Sequence, residues 1–298
     1  MTCRPAPALL LVVAAGLCPV TAHAQDLYQQ ARDLQRRGQL DSAYNVIQHA
    51  ADAEPNRAEV HFALGEIAGQ RAQRIGGIGA YGTARKCKAG YARAVQLQPD
   101  SVPYLEGLIG NLTQAPGIVG GDKDSALVLA RRVRRLDESR GIWDEVTVLR
   151  AGNDRKKQQA DSLAQWYGDQ HPTDRTAQLQ LAAYYNQSNR FDRAMPIIER
   201  LVAHDSTDGV ARFSLGRNMV VLKRDQREAQ RHLRYVLTRP LPAAGQPRWS
   251  VEAVWWRLGQ SYVLLGMPDS ARAMYEESLR LNPQFRQARA SLDSLNRH

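Results

Sequence analysis

Few residues in this sequence have types and spacings that could do chemistry, and a glycine pattern is the most prominent of them. The stretch Gly77-x-Gly79-x-x-Gly82 has the letters of a dinucleotide-binding loop. Such a loop needs a β-strand before the glycines and a helix N-terminus directly after them, so that backbone amides face a pyrophosphate. Here a helix ending near Arg74 is predicted before the glycines, and no strand is predicted anywhere. We therefore expect no cofactor.

The remaining polar residues do not form a catalytic or metal-binding set. No two histidines stand four residues apart on one predicted helix, which is the spacing of a helical zinc site. The sequence has neither a phosphate-binding loop with its lysine nor a serine in a G-x-S-x-G turn. Asp122-Lys123-Asp124 is too short for a calcium loop and is predicted to cap a helix starting near Ser125. The sequence thus favours a protein without enzymatic activity and without a bound metal.

The N-terminus has the pattern of a secretory signal peptide, predicted to span residues 1–24. Arg4 supplies the positive charge, an apolar run from Ala8 to Leu17 follows, and Ala22-His23-Ala24 offers small residues for cleavage. The apolar run is too short to span a bilayer, and no later segment approaches that length. We expect residues 25–298 to be exported without a membrane span. The predicted location is the periplasm, with outer-membrane association or the cell exterior as alternatives.

One cysteine remains after the predicted cleavage, because Cys3 and Cys18 leave with the signal peptide. Cys87 therefore cannot form an internal disulfide, and the fold must be stable without one. Its place in the helical pattern is that of a small residue between two helices, occupied elsewhere by Ala43 and Ala271. We interpret Cys87 as a buried packing thiol, with a reactive thiol as the alternative.

The elements that would position a site are helices, and their pattern is clearest between Glu252 and Pro283. Residues at spacings of three and four fall on one face of each of two predicted helices: Trp255, Leu258, Gly259 and Tyr262, then Ala271, Tyr275 and Ser278. The small Gly259 and Ala271 fall where two antiparallel helices would cross closely. Gly266, between the helices, suits a left-handed helix end.

This pattern resembles the tetratricopeptide repeat, a helix pair of about 34 residues. The register recurs near residues 24–55, 58–99, 102–138, 141–172, 175–206, 209–241 and 252–283, and a polar helix at 286–296 could cap the stack. In the fifth unit Asn189 replaces glycine at the turn, since asparagine tolerates the left-handed conformation. The resemblance implies an all-α fold, a right-handed superhelical solenoid of about seven helix-turn-helix units plus a C-terminal capping helix.

Glycine-rich insertions interrupt two adjacent units, at residues 74–82 and 115–121. The turns within the units of a stacked solenoid emerge on one edge, so these two loops are expected to touch. A site that binds an anion through backbone amides at the loops would use seven residues: Arg74, Gly77, Gly79, Gly82, Gly117, Gly120 and Gly121. Packed connecting loops without a ligand are the alternative interpretation.

The resemblance also implies a binding surface, because in this family the first helices of successive units line a concave groove. Register assigns eight residues to that groove: Tyr28, Phe62, Asn186, Phe213, Arg217, Trp256, Arg257 and Gln260. An aromatic anchor beside an arginine is typical of binding hot spots, which favours Phe213 and Trp256 with Arg217 and Arg257. Burial of each aromatic ring between neighbouring units is the alternative.

The function expected from this resemblance is that of a non-enzymatic scaffold in the bacterial cell envelope, binding a protein or peptide in its groove. The rival hypothesis is a transport-associated accessory protein that binds a solute, an anion or a glycan at the paired glycine-rich loops. The formal net charge of +10 favours anionic partners, among them an anionic envelope polymer. Export argues against nucleic acid as a partner.

Overall fold

The computed structural model describes residues 19–241 and 249–297. Within these ranges the chain forms fifteen α-helices and two 3₁₀ turns, with no β-strand, so the expected all-α fold class is confirmed. Residues 1–18 of the predicted signal peptide lie outside the described residues. None of the described helices is both long enough and apolar enough to cross a membrane.

The helices follow one another in chain order, and their bounds are α1 (Pro19–Arg36), α2 (Leu40–Ala53), α3 (Ala58–Ile75), α4 (Tyr81–Leu97), α5 (Val102–Gln114), α6 (Lys123–Leu136), α7 (Glu138–Arg150), α8 (Asp154–Gln170), α9 (Arg175–Gln187), α10 (Phe191–His204), α11 (Gly209–Val221), α12 (Gln226–Leu237), α13 (Val251–Leu264), α14 (Pro268–Leu281) and α15 (Arg286–Leu295).

Short turns with left-handed backbone join the helices of several pairs. Gly38 and Gly266 have φ values of +73° and +70° at the turns of the first and last pairs. Asn189 has a φ of +56° at the turn between α9 and α10, as predicted. Lys223 has a φ of +54° between α11 and α12, although lysine rarely adopts this conformation. The turn is therefore set by the packing of the two helices rather than by local residue preference.

The chain divides into two compact units, one ending at Ala160 and the other beginning at Asp161, within α8. In the first unit, helices α1 to α4 enclose a core in which Ile47 and Ile67 are fully buried. A second cluster forms where α5, α6 and α7 meet, around the fully buried Leu105. Each core is built from neighbouring helices in the chain, which is the packing expected of a repeat protein.

The second unit repeats this local packing. Helices α11 to α14 bury Leu233, Val254 and Leu258 completely, and Trp249 closes the same cluster with 5% of its surface exposed. Residues 242–248, which include Pro242 and Pro247, lie outside the described residues. This core, too, is built from helices that are neighbours in the chain.

Two glycine positions allow helices to approach very closely. A Cβ atom at Gly90 on α4 would lie 2.7 Å from both the backbone nitrogen of Gly65 and the carbonyl oxygen of His61 on α3. A Cβ atom at Gly259 on α13 would lie 2.4 Å from the ring of Tyr275 on α14. Both distances are far below normal van der Waals contact, so a side chain at either position would force the helices apart.

The insertion predicted at residues 74–82 begins close to where it was expected, because the helix predicted to end near Arg74 ends at Ile75. Arg74 lies inside α3 and Gly82 lies inside α4, so only residues 76–80 connect the two helices. The added residues lengthen two existing helices. Propagating a helix adds one hydrogen bond for each residue that is fixed, whereas a new structured loop has no such compensation.

The second insertion remains a loop between α5 and α6, with a 3₁₀ turn at Gly117–Val119. Asp122 ends this loop as the N-cap of α6. Its Oδ1 accepts hydrogen bonds from the backbone nitrogens of Asp124 and Ser125, each at 3.0 Å. The capping role predicted for this acidic segment is therefore confirmed, with the helix beginning at Lys123.

Candidate functional site

In the first compact unit, charged residues on the first helices of successive pairs neutralise one another. Arg32 on α1 donates from Nη1 to Oε2 of Glu66 on α3 at 2.6 Å. Arg140 on α7 donates from Nε to Oε1 of Glu106 on α5 at 2.7 Å and also bonds the second carboxylate oxygen. Paired arginine–carboxylate contacts of this kind satisfy both charges. This face therefore offers little uncompensated charge to a partner.

Tyr28 and Phe62, two of the predicted groove residues, are part-buried in ring contacts within the first unit. The Phe62 ring packs against Tyr91 with 5.3 Å between centroids and against Tyr104 with 4.9 Å. The guanidinium of Arg57 lies 5.0 Å from the centre of the Tyr28 ring. Phe62 thus follows the alternative interpretation, in which the aromatic ring packs between neighbouring helix pairs.

Asn186 lies in the interior of the second unit rather than on an open groove. Its side chain is 8% exposed, and its Oδ1 accepts a hydrogen bond of 2.7 Å from Nδ2 of Asn218. Asn218 is fully buried, and its own Oδ1 accepts from Nε of Arg217 at 3.2 Å. A register difference of one residue rotates a helical side chain by about 100°, which is enough to turn it inward. Asn186 therefore positions Asn218, which in turn contacts Arg217.

Arg217 and Arg257 carry uncompensated charge on the neighbouring helices α11 and α13. Each donates to a neutral amide oxygen, Arg217 to Asn218 and Arg257 to Gln260, the latter at 2.7 Å. Neither forms an ion pair with a carboxylate in the described part of the chain. Burial lowers the pKa of Arg217. Burial, with the charge of Arg217 as a second cause, lowers the pKa of Arg257 to about 10. Desolvated like charges without a counterion favour an incoming anion.

Trp256 lies directly beside this arginine pair. The guanidinium carbon of Arg257 is 4.1 Å from the centre of the indole ring, a cation–π distance. The indole Nε1 donates to Oγ of Ser291 on α15 at 3.0 Å, and the ring meets Phe285 edge-on. Trp256 is therefore held in place from α15 and fixes the Arg257 side chain. Phe213, by contrast, packs into the core of the second unit.

The predicted loop residues are not gathered into one anion site. Arg74 forms an ion pair with Asp41 of α2, a carboxylate that it shares with Arg71. Gly77 borders the cavity described below, whereas Gly117 and Gly121 border a different cavity next to α6. The seven predicted loop residues therefore do not border one common cavity.

The second glycine-rich loop is bonded to α4 through Lys88. Its Nζ donates to the carbonyl oxygen of Gly120 in the second loop at 2.9 Å. Gly120 has a φ of +100°, and a Cβ atom there would lie 2.7 Å from Cδ of Lys88. Gly79 and Gly82 are not among the residues that border the cavity between the segments. Lys88 lies outside residues 74–82, so this hydrogen bond joins α4, and not the first insertion itself, to the second loop.

Both segments border one cavity of about 590 Å³ in the first unit, here called the glycine-loop cavity. Its walls are α3, α4, α5 and the two loops. Polar side chains and one thiol line it: Gln70, Gln73, Cys87, Asn111 and Gln114. No lysine or arginine is among its described lining residues, while Glu66 and Glu106 are. An anion would meet no cationic side chain in this cavity.

Cys87 lies at the wall of the glycine-loop cavity with 4% of its surface exposed. Burial raises the pKa of its thiol to about 11, and a hydrogen bond of 3.1 Å from Nδ2 of Asn111 opposes that shift. The thiol is therefore protonated at neutral pH, and a protonated thiol is a poor nucleophile. These features favour the packing interpretation of Cys87 over a reactive one.

Two residues of these sites were not identified from the sequence. Asn218 follows Arg217 directly and stands 32 residues after Asn186, a separation close to one repeat, which could have indicated a polar pair. Gly110 lies inside α5, where glycine is unfavourable, and an ideal Cβ there would meet no atom within 4 Å. A glycine inside a helical pattern can indicate such open space.

Comparison with known proteins supports the repeat assignment. Residues 252–285 match the family model described as tetratricopeptide repeat. A tetratricopeptide repeat protein from Parabacteroides merdae has 14% identity and a TM-score of 0.56, over 92% of this chain and 99% of that chain. At that identity the likeness shows the fold alone. The comparison with curated proteins gave no match.

Two further solved structures align over most of the chain with lower scores. PilW, described as a type IV pilus biogenesis factor, has 14% identity and a TM-score of 0.45, over 91% of this chain and 98% of that chain. The pilF protein of Pseudomonas aeruginosa has 11% identity and a TM-score of 0.44, over 93% of this chain and 100% of that chain. No functional conclusion rests on these two. By its matched residues 252–285 the chain contains one tetratricopeptide repeat, and its fold is that of a helical repeat protein.

Proposed function

We propose that this chain is a non-enzymatic scaffold of the bacterial cell envelope that binds an acidic segment of a protein or peptide. Tetratricopeptide repeat proteins are in general protein-interaction scaffolds without catalytic activity. The proposed binding surface is the face shared by α11 and α13 in the second compact unit. Arg217 and Arg257 bind a carboxylate there, and Trp256 contacts the neighbouring part of the partner.

The observation that supports this proposal is the uncompensated charge of the two arginines. Arg32 and Arg140 on the first helices of the other unit each bind a carboxylate of this chain. Arg175 on α9 is likewise paired with Asp208. Arg217 and Arg257 have only amide oxygens as partners in the described ranges, although burial lowers the pKa of both. A partner carboxylate would supply the missing counterion.

The site is also pre-organised, which reduces the entropy lost on binding. Trp256 stacks against the guanidinium of Arg257, and Gln260 accepts a hydrogen bond from it. Asn218, held by Asn186, accepts from Arg217. Both cations are thus oriented before a ligand arrives. The envelope location in this proposal rests on the predicted signal peptide alone.

A peptide library with free carboxyl termini, selected on the purified chain, tests this proposal. We expect selected peptides to contain Asp, Glu or a terminal carboxylate at a fixed position. The Arg217→Gln/Arg257→Gln variant should weaken their binding by about tenfold or more, because a charge-assisted hydrogen bond contributes roughly 1.5–3 kcal/mol. Amidated peptides, or peptides with Asn and Gln in place of the acids, should lose affinity by a similar factor.

The matched control is Arg280→Gln/Arg297→Gln. It also removes two positive charges, but from exposed positions on α14 and in the C-terminal turn. This control should change the affinity for the selected peptides by less than about twofold, since solvent-exposed charges interact only weakly with a ligand. Equal losses in both double variants would mean that net charge, and not this site, attracts the peptides. Selection of peptides without any acidic group would contradict the proposal directly.

A further inference from the structure

The glycine-loop cavity is lined by groups that suit a different ligand from that of the arginine pair. Its volume of about 590 Å³ lies within the range of roughly 300–1,000 Å³ typical of small-molecule sites. Three helices and two loops border this open pocket, which has room for a compact molecule. The cavity lies wholly within the first compact unit, whereas Arg217 and Arg257 belong to the second.

Uncharged groups dominate the polar lining of the cavity. Four primary amides, those of Gln70, Gln73, Asn111 and Gln114, reach it from α3 and α5. Each primary amide has an oxygen that accepts and an NH₂ group that donates. No hydrogen bond within the described residues occupies the amides of Gln73 or Gln114, both of which are exposed. These two side chains are therefore available to a ligand that both donates and accepts.

The charged groups of the cavity are already neutralised. Glu66 is paired with Arg32, and Glu106 is held by two contacts from Arg140. A cationic ligand would therefore have to compete with an arginine for either carboxylate. An anionic ligand would meet two carboxylates and no cationic side chain among the described lining residues. The charge distribution thus favours a ligand with no net charge.

The remaining wall is made of small and apolar residues. The ring of Tyr91, the methyl group of Ala84 and the glycines Gly107 and Gly110 border the cavity. A Cβ atom at Gly110 would point into space with no atom within 4 Å. Such a surface can pack against the C–H face of a ring, while the amides bond its hydroxyl groups.

We propose that the glycine-loop cavity binds a compact, uncharged, hydroxyl-rich ligand of the saccharide class. A hydroxyl group donates one hydrogen bond and accepts others, which matches the donors and acceptors of Gln73 and Gln114. The apolar wall packs against the sugar ring. The lengthened helices α3 and α4 and the second loop form the walls that an ordinary helix pair of this family would not supply.

Binding of neutral sugars to the full chain tests this inference. Glucose, galactose, maltose and lactose are the probes, with inorganic phosphate, glucose 6-phosphate and glucosamine as charged counterparts, and calorimetry is the readout. We expect at least one neutral sugar to bind and the phosphates not to bind. The Gly110→Phe variant, which fills the cavity, should reduce binding by about tenfold or more. Gly110→Ala, the matched control, adds one methyl group and should retain binding.

A second variant keeps the test decisive if Gly110→Phe does not fold. Gln114→Leu removes one exposed amide at nearly constant volume and should weaken sugar binding several-fold. Failure of every neutral sugar to bind would overturn the inference. Binding that survives both Gly110→Phe and Gln114→Leu, or a preference for phosphate or for an extended peptide in this cavity, would overturn it as well.

Discussion

Arg257 lies close enough to Arg217 for the charge of one guanidinium to lower the pKa of the other. Buried repulsion of this kind opposes folding, because the unfolded chain hydrates both cations fully. Replacing one arginine by a neutral residue should therefore stabilise the chain while it weakens ligand binding. Opposite effects on stability and on binding are typical of functional sites.

The first prediction is that Arg257→Gln raises the free energy of unfolding by about 1 kcal/mol at neutral pH. The pKa of Arg257 is lower in the folded chain, about 10, than its ordinary 12.5, so the destabilisation is fully present at pH values below 10. Loss of stacking on Trp256 offsets part of the gain. Urea denaturation at pH 7.5 measures the change, and a lower midpoint for Arg257→Gln would contradict the prediction.

The second prediction concerns Asp144 on α7. Burial, reinforced by Glu106 and Asp137 and opposed by Arg140, raises the pKa of its carboxyl group to about 7. Between about pH 4 and pH 7 the Asp144 carboxyl group is therefore protonated in the folded chain and ionised in the unfolded chain. The free energy of unfolding consequently falls as the pH rises through this range. At pH 8, Asp144→Asn should be more stable than the wild type by about 1–2 kcal/mol, after allowance for solvent screening.

Thermal melting between pH 4 and pH 8 measures this dependence on Asp144. At pH 4 the wild type carries a protonated carboxyl group, so the two proteins should melt at similar temperatures. A difference in melting temperature between Asp144→Asn and the wild type that stays constant from pH 4 to pH 8 would contradict the prediction, because the stabilisation would then not depend on ionisation of Asp144.

The third prediction tests the buried pair of Asn186 and Asn218. Asn218→Ala removes the donor to Oδ1 of Asn186 and leaves that oxygen buried without a partner, at a cost of about 1–3 kcal/mol. Asn186→Ala should be destabilising by a similar amount. The double variant should be more stable than the sum of the two single losses predicts, since no orphaned amide remains. Additive losses in this cycle would mean that the two amides act independently.

The fourth prediction uses two glycines of the same helix. Gly90→Ala should destabilise the chain by about 2 kcal/mol or more, because the new methyl group would lie 2.7 Å from backbone atoms of α3. Gly82→Ala, its matched control in the first turn of α4, meets no atom within 4 Å and should be neutral or stabilising by up to about 1 kcal/mol. Chemical denaturation of both variants measures the contrast, and equal stabilities would remove the argument for a close helix crossing.

The helical repeat could be predicted from the sequence because its determinants are local. Gly259 and Ala271 stand at fixed distances within one helix pair, and both lie at buried helix contacts. The left-handed turn at Asn189 could be predicted from the backbone preference of asparagine alone. The end of α3 was also predicted to within one residue, near Arg74 against the observed Ile75, because glycine is unfavourable inside a helix. Helix propagation continued through Arg74 to the first glycine.

The candidate sites could be predicted only in part, because they depend on which side chains meet across helices. Arg217 and Arg257 were identified by composition and register. Asn186 was assigned to the groove by the same register and is buried, since a small error in helix phase changes the exposure of a side chain. The pairing of Arg74 with Asp41 joins separate helices and has no counterpart in local sequence. Pairwise contacts of this kind are decided by packing.

The contacts of Arg32 with Glu66 and of Arg140 with Glu106 both join positions 34 residues apart, the length of one repeat. An unequal genetic exchange that inserts one whole repeat would keep the helical phase intact and could still separate a cation from its anion. Growth or shortening of the array is therefore constrained by charge as well as by shape. An inserted copy would be accommodated best where its first helix brings an acid to a neighbouring arginine.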